Sequence, residues 1–215
     1  MSSARNEILE AIRGGTPDAD AIAAQARRLR AGACRPERVN GPADVVFLER
    51  LRAPGIAATA ERVLTMQDFP DAVRRYLTTQ QLAPTVALQP HAALQALNWA
   101  GIETHAHIGT DELVAVGLAL GGIAETGSLV FHSGPASPTL FAFLPLHHIV
   151  AVRASTIWPW LEDYADAVSD SPQPRNVNLI TGASGTTDIE GTLVRGAHGP
   201  GWLHVVLVGD ARDAS

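Results

Sequence analysis

The sequence predicts an α/β protein: a mainly parallel sheet covered on both faces, three layers in all, preceded by a helical segment. Two observations predict this. From Ile56 onward, short continuous apolar runs alternate with stretches of helical periodicity, and strands buried on both faces of a parallel sheet read as unbroken apolar runs rather than as alternation. Before that point the periodicity is helical only, so the chain divides into an N-terminal helical arm, residues 1–53, and an α/β domain, residues 54–215. With 215 residues, 46% of them hydrophobic, there is enough apolar material for one closed core in that domain.

The elements follow in order. Ile8, Leu9 and Ile12 recur at helical spacing, and Ile22, Ala26 and Leu29 repeat the pattern between Asp18 and Ala31, with Gly14, Gly15 and Gly32 as punctuation. Thr85 to Leu88 reads as a short strand followed by a helix from about His91 to Trp99. Further strands are expected at Leu113–Val116, Leu129–Phe131, Ile149–Val152, Val177–Ile180 and Leu203–Val208. A helix is expected after Ser155, with a Ser or Thr N-cap, Pro159 in its first turn and an apolar set of Trp158, Trp160, Leu161 and Tyr164. The stretch Ser169–Pro174 reads as a loop, and Asp210–Ser215 as a fraying end.

Composition removes several chemistries. All 16 basic side chains are arginine. Without lysine the chain has no Schiff-base amine, no anchor for pyridoxal phosphate and no Walker-type phosphate loop. Its single cysteine, Cys34, cannot supply the several thiolates of an iron–sulfur cluster or a structural zinc site. Residues 1–75 hold 12 arginines against 10 acids, whereas residues 76–215 hold four, Arg153, Arg175, Arg195 and Arg212, against 12. Nucleic-acid binders cluster basic charge to meet phosphates, and this acidic C-terminal part argues against such a partner. No apolar run reaches the roughly 18 residues of a membrane span, and the start lacks a signal peptide's apolar core, so a cytoplasmic protein without a membrane partner is expected.

Three sets of residues hold the candidate chemistry. Gly122–Phe131 places Glu125, Thr126, Gly127 and Ser128 before a strand; exposed amides and hydroxyls there suit an anion, and a plain turn with a solvated glutamate fits equally. Thr181–Pro200 contains Gly182, Ser184 and Thr186, then Thr187 and Glu190 at capping-box spacing around Asp188. This predicts a helix start facing a glycine-rich loop, as an anion site or simply as structure. The third set is histidine. His105 and His107 share a face if extended and His147 and His148 are adjacent, which leaves a metal site open, although no metal is assigned. His198, among the small residues of Gly196–Pro200, is either a proton-transfer group or a structural ring.

In this order, Ile123–Ser128 before a strand, Pro145–Val150, Thr187–Glu190 and Gly196–Pro200 resemble the lactate utilisation protein C family, the LUD domain, over roughly residues 80–210. The resemblance implies a fold similar to the phosphosugar-isomerase and CoA-transferase group. It also implies a role in oxidising L-lactate to pyruvate beside iron–sulfur partner proteins, which would hold the clusters that this chain does not. The chain departs from the family at Gly182–Glu190, where a proline and a long polar side chain are replaced by Ala183 and Gly185, and at Ser137–Thr139, where relatives often carry an arginine. Each change removes a group able to meet an anion.

The leading expectation is therefore a non-cluster subunit of a lactate-oxidising system. A small organic acid would be held by loop amides near Gly127 and Gly182, by the hydroxyls of Thr126, Ser128, Ser184 and Thr186, and by Arg195, with Asp188 and Glu190 at the same loop and His198 as a proton-transfer group. The alternative is a stand-alone enzyme acting on an acyl-CoA or a phosphorylated substrate, in which Glu125 is the nucleophile and forms an acyl anhydride.

Overall fold

The computed structural model describes residues 4–13, 18–31, 40–187 and 193–209. Its helices are α1 (Ala4–Arg13), α2 (Ala19–Ala31), α3 (Ala43–Leu51), α4 (Phe69–Thr79), α5 (Ala92–Gln95), α6 (Leu140–Phe143) and α7 (Leu161–Ala167). Its strands are β1 (Ala58–Val63), β2 (Thr85–Leu88), β3 (Glu103–His105), β4 (Val114–Leu118), β5 (Gly121–Ile123) and β6 (Ser128–His132). They continue with β7 (His147–Arg153), β8 (Ile157–Trp158), β9 (Val177–Ile180), β10 (Gly185–Thr187), β11 (Leu193–Arg195) and β12 (Trp202–Val208).

The chain falls into two compact units, Met1–Arg38 and Val39–Ser215. The first contains α1 and α2. The second begins before α3, not at residue 54 as expected, because α3 puts Phe47, Leu48 and Leu51 into the α/β core. Helical periodicity alone cannot say which unit a nine-residue helix packs against.

Six parallel strands form the central sheet, in the order β1-β12-β7-β4-β2-β3. The expected mainly parallel sheet is present. Residues of β7 and β12 alternate between two cores. Ile149, Ala151, Val206 and Val208 face one; Val150, Val152, Val205 and Leu207 face the other. Both faces are buried, which is why these strands read as continuous apolar runs. On the first face lies α4, whose Phe69, Ala72, Val73, Tyr76 and Leu77 recur at helical spacing and are all buried. The other face is covered by α3 together with a second, four-stranded sheet, β8-β5-β6-β9. In that sheet β5 and β6 form an antiparallel hairpin and β9 runs antiparallel to β6.

Three local expectations are corrected. The helix expected over His91–Trp99 is only α5, four residues long, with the His91 ring accepting the Ala93 N–H as its cap. The helix after Ser155 starts at Leu161, because Ile157 and Trp158 pair with β5 first; its cap is the Asp163 carboxylate, which accepts the Trp160 N–H. Thr187 is not a helix N-cap: it pairs with Leu193 in the antiparallel hairpin β10-β11. Capping-box spacing at Thr187 and Glu190 therefore coincides with the end of a strand.

Candidate functional site

The motif Ile123–Ser128 is the turn of the β5-β6 hairpin. Gly127, at φ +69°, takes the left-handed conformation the turn requires, and its N–H donates to the Ile123 carbonyl at 2.9 Å. The turn is tied to the segment before α7: the Ala124 N–H donates to Trp158 O at 2.8 Å and the Glu125 N–H to Pro159 O at 3.1 Å. The Glu125 carboxylate accepts the Leu161 N–H at 3.0 Å, so it caps the N-terminus of α7, where backbone donors lack intrahelical partners.

Ser128, almost fully buried, links the two glycine-rich stretches. Its hydroxyl bonds to Thr126 Oγ1 at 2.7 Å and to Thr181 Oγ1 at 2.6 Å, a row of three hydroxyls that fastens the hairpin to the loop after β9. Beyond Thr181 the loop passes beneath the strand that enters β1. A Cβ at Gly182 (φ +88°) would overlap the Ile56 carbonyl oxygen, which accepts the Ala183 N–H at 3.2 Å. Only glycine satisfies both the left-handed backbone and this close approach. The Ser184 N–H then donates to Pro200 O at 2.7 Å, and Ser184 O accepts the Gly196 N–H at 3.1 Å, so the two ends of the motif-bearing loop meet.

At that meeting point Ser184 and Arg195 line a cavity of about 260 Å³ with Pro54, Gly55, Ala57, Ala183 and Gly185. Arg195 sits opposite Gly185 in the hairpin register, and both it and Thr186 are exposed. A guanidinium that can take a carboxylate through two parallel N–H donors, a hydroxyl and short-side-chain backbone form an anion-binding set. Of the expected ligand residues, Ser184 and Arg195 therefore share one cavity with the Gly182 loop behind it. Thr126, Gly127 and Ser128 form a neighbouring structural cluster. His198 is exposed on the Gly196–Pro200 loop, and Glu125 is at the cap of α7, with no contact joining the two among the described residues. Asp188 and Glu190 lie outside the described residues, as does Cys34.

The other histidines do not converge. His147 and His148, consecutive in β7, point to opposite faces. His147 meets the Tyr76 hydroxyl at 2.9 Å and stacks on Trp202 at 4.6 Å. His148 is buried against Phe131 with neither ring nitrogen hydrogen-bonded among the described residues, and burial pushes its pKa down to about 3. His105 lies 3.7 Å from Glu112. Among the described residues no three His, Cys, Asp or Glu side chains come together as a metal site.

Periodicity did not reveal a polar network at the amino ends of the central strands. His204 takes Thr59 Oγ1 at 2.8 Å on one ring nitrogen and Glu61 at 3.2 Å on the other, and stacks on Tyr76 at 4.6 Å. Burial lowers the His204 pKa, with Glu61 acting against the shift, and pushes Tyr76 up to about 12. His204 and Glu61 sit within strand runs of ordinary appearance, and only the pairing of β1 with β12 brings them together.

Comparison with known proteins bears on the same region. Residues 111–208 match the LUD domain. Over 108 residues the chain is 32% identical to a lactate utilization protein C of Deinococcus radiodurans, covering 49% of this chain and 50% of that protein. It is 34% identical over 93 residues to one from a Geobacillus species, covering 41% and 39%. An uncharacterized protein of Neisseria meningitidis serogroup B is 35% identical over 92 residues, covering 40% and 38%. The chain thus spans about half or less of the length of these curated relatives. The fold is shared with the crystal structure of a DUF162 family protein from Deinococcus radiodurans, with a TM-score of 0.56 and 20% identity over 78% of this chain and 96% of that one. The LUD domain, which the sequence motifs resemble, is thus also what residues 111–208 match.

Proposed function

We propose that this chain is a lactate-utilisation protein, a subunit that binds a small carboxylate while iron–sulfur partner proteins take the electrons as L-lactate becomes pyruvate. The observation that supports this reading is the meeting of Arg195 and Ser184 in one cavity of about 260 Å³, within residues 111–208, which match the LUD domain, in a chain similar to proteins named for lactate utilization. Oxidation of lactate to pyruvate releases two electrons and two protons, and a chain with one cysteine cannot ligate a cluster to receive them. Its own part is to hold the acid: Arg195 pairs the carboxylate, the Ser184 hydroxyl takes a further polar contact, and His198, on the same loop, exchanges a proton with solvent.

Calorimetric titration with L-lactate tests the binding step. Saturable binding that weakens about tenfold in Arg195→Gln is expected, since a hydrogen bond to a charged group contributes about 1.5–3 kcal/mol. Equal affinity in the wild type and the variant would overturn the assignment of the site.

A further inference from the structure

The cavity at Arg195 lies where β1 and β12 begin. At the opposite end of the central sheet, beyond the carboxyl ends of its strands, a second crevice surrounds Arg153. In parallel α/β sheets this end is where connections diverge and ligands are usually received. Arg153 is the last residue of β7. Its side chain lines both a cavity of about 480 Å³ and one of about 280 Å³, and among the described residues it is the only Arg, Asp or Glu that lines either. No described carboxylate pairs with its guanidinium, in contrast to Arg62, Arg74 and Arg75, which are matched to Asp44, Asp71 and Glu61.

The smaller cavity has a definite chemistry. Leu118, Ala119, Leu120 and Phe131 form an apolar wall, no described carboxylate lines the cavity, and of its two histidines His132 is engaged through Nε2 with the Tyr164 hydroxyl at 2.8 Å. The Gln89 side chain is held at both ends: its carbonyl accepts the Leu118 N–H at 2.9 Å and its amide donates to Ala136 O at 2.9 Å. These two bonds fix the side chain in the lining of the cavity. His91 Nδ1 already accepts the Ala93 N–H at 3.1 Å, which leaves Nε2 as the ring nitrogen open to a ligand. Ser137 and Thr156 add hydroxyls. One cation with neutral donors matches a single negative charge, and the apolar wall matches an apolar body. The cavity is close in volume to the one at Arg195, but where that one is lined by glycine, alanine and proline this one presents Leu118, Leu120 and Phe131, which suit a body larger than the single methyl of lactate.

We propose that this crevice is a second binding site, for an organic monocarboxylate with an apolar body larger than lactate, its carboxylate on Arg153 and its body against Leu118, Leu120 and Phe131. The site is independent of Arg195 and stands at the other end of the strands.

The test uses three probes on the full chain, 3-phenyllactate, L-lactate and inorganic phosphate, titrated into the wild type, Arg153→Gln, Leu120→Trp and Arg195→Gln, with circular dichroism confirming that each is folded. 3-Phenyllactate should bind saturably, at least tenfold more weakly to Arg153→Gln and to Leu120→Trp, in which the cavity is filled and the arginine kept. Its affinity for Arg195→Gln should stay within twofold of the wild type. Binding indifferent to Arg153→Gln and Leu120→Trp, binding lost in Arg195→Gln instead, tighter Arg153-dependent binding of phosphate, or no binding of 3-phenyllactate to the folded wild type would each overturn the proposal. The L-lactate arm on Arg195→Gln reports separately on the first site.

Discussion

His148 shows what the core asks of single residues. A neutral imidazole enclosed with no hydrogen-bond partner among the described residues is unfavourable, and its protonation is far more so. Because its pKa falls from the ordinary 6.5 to about 3 on folding, the unfolded chain binds a proton that the folded chain does not throughout that interval. Stability is therefore complete above about pH 6.5 and falls with acidification, by up to about 1.4 kcal/mol per pH unit for this one group. His147 and His204, whose pKa values burial also lowers, act in the same direction. Urea denaturation of His148→Leu should show unchanged or higher stability at pH 7 and a shallower loss between pH 6 and pH 4; an unchanged acid slope would contradict this. Gly182 is the converse case, a residue defined by what it lacks. Gly182→Ala should lose about 1–3 kcal/mol from its left-handed backbone and the overlap with Ile56, read as a lower denaturation midpoint.

Among the elements, α7 and the β5-β6 turn are joined by one carboxylate. Glu125→Ala should destabilise the protein by about 1 kcal/mol through the lost cap, whereas Glu125→Gln, which keeps an acceptor, should nearly restore it in thermal denaturation. Under the acyl-anhydride alternative, acyl-CoA and an acceptor acid should label Glu125 in the presence of hydroxylamine, and Glu125→Gln should abolish turnover; the cap predicts no adduct. The central strands were legible because burial on both faces writes them as unbroken apolar runs, as in His147–Arg153 and Trp202–Val208. The shorter elements were not. Gly121–Ile123 and Ile157–Trp158 are too brief to show a period; the first is a strand through its pairing with β6 and β8, the second through its pairing with β5. The capping-box spacing at Thr187 misled because serine, threonine and acidic residues occupy turns and strand ends as readily as helix starts. Of the candidate site, the two motif-bearing stretches were legible in sequence as glycine-rich, polar segments; that Ser184 and Arg195 line one cavity was not, since the pairing of β10 with β11 brings them there. The positions of Arg153 and His204 were not, since their neighbours come from strands distant in the chain.

At the scale of the whole molecule, the parallel sheet places polar chemistry at two ends. The amino ends gather the motif-bearing loops, Arg195 and the His204 network; the carboxyl ends gather Arg153 and two cavities. With no lysine and few arginines after residue 75, each proposed site has one arginine among its described lining residues, Arg195 or Arg153, and should be sensitive to its loss. Among the described residues no helix is long and apolar enough to cross a membrane. The most direct test of the lactate-utilisation reading is growth on L-lactate as sole carbon source of a host whose own copy of this chain has been deleted. The account predicts that growth fails, is restored by the wild-type chain and is not restored by a folded Arg195→Gln chain; undiminished growth of the deletion strain would contradict it.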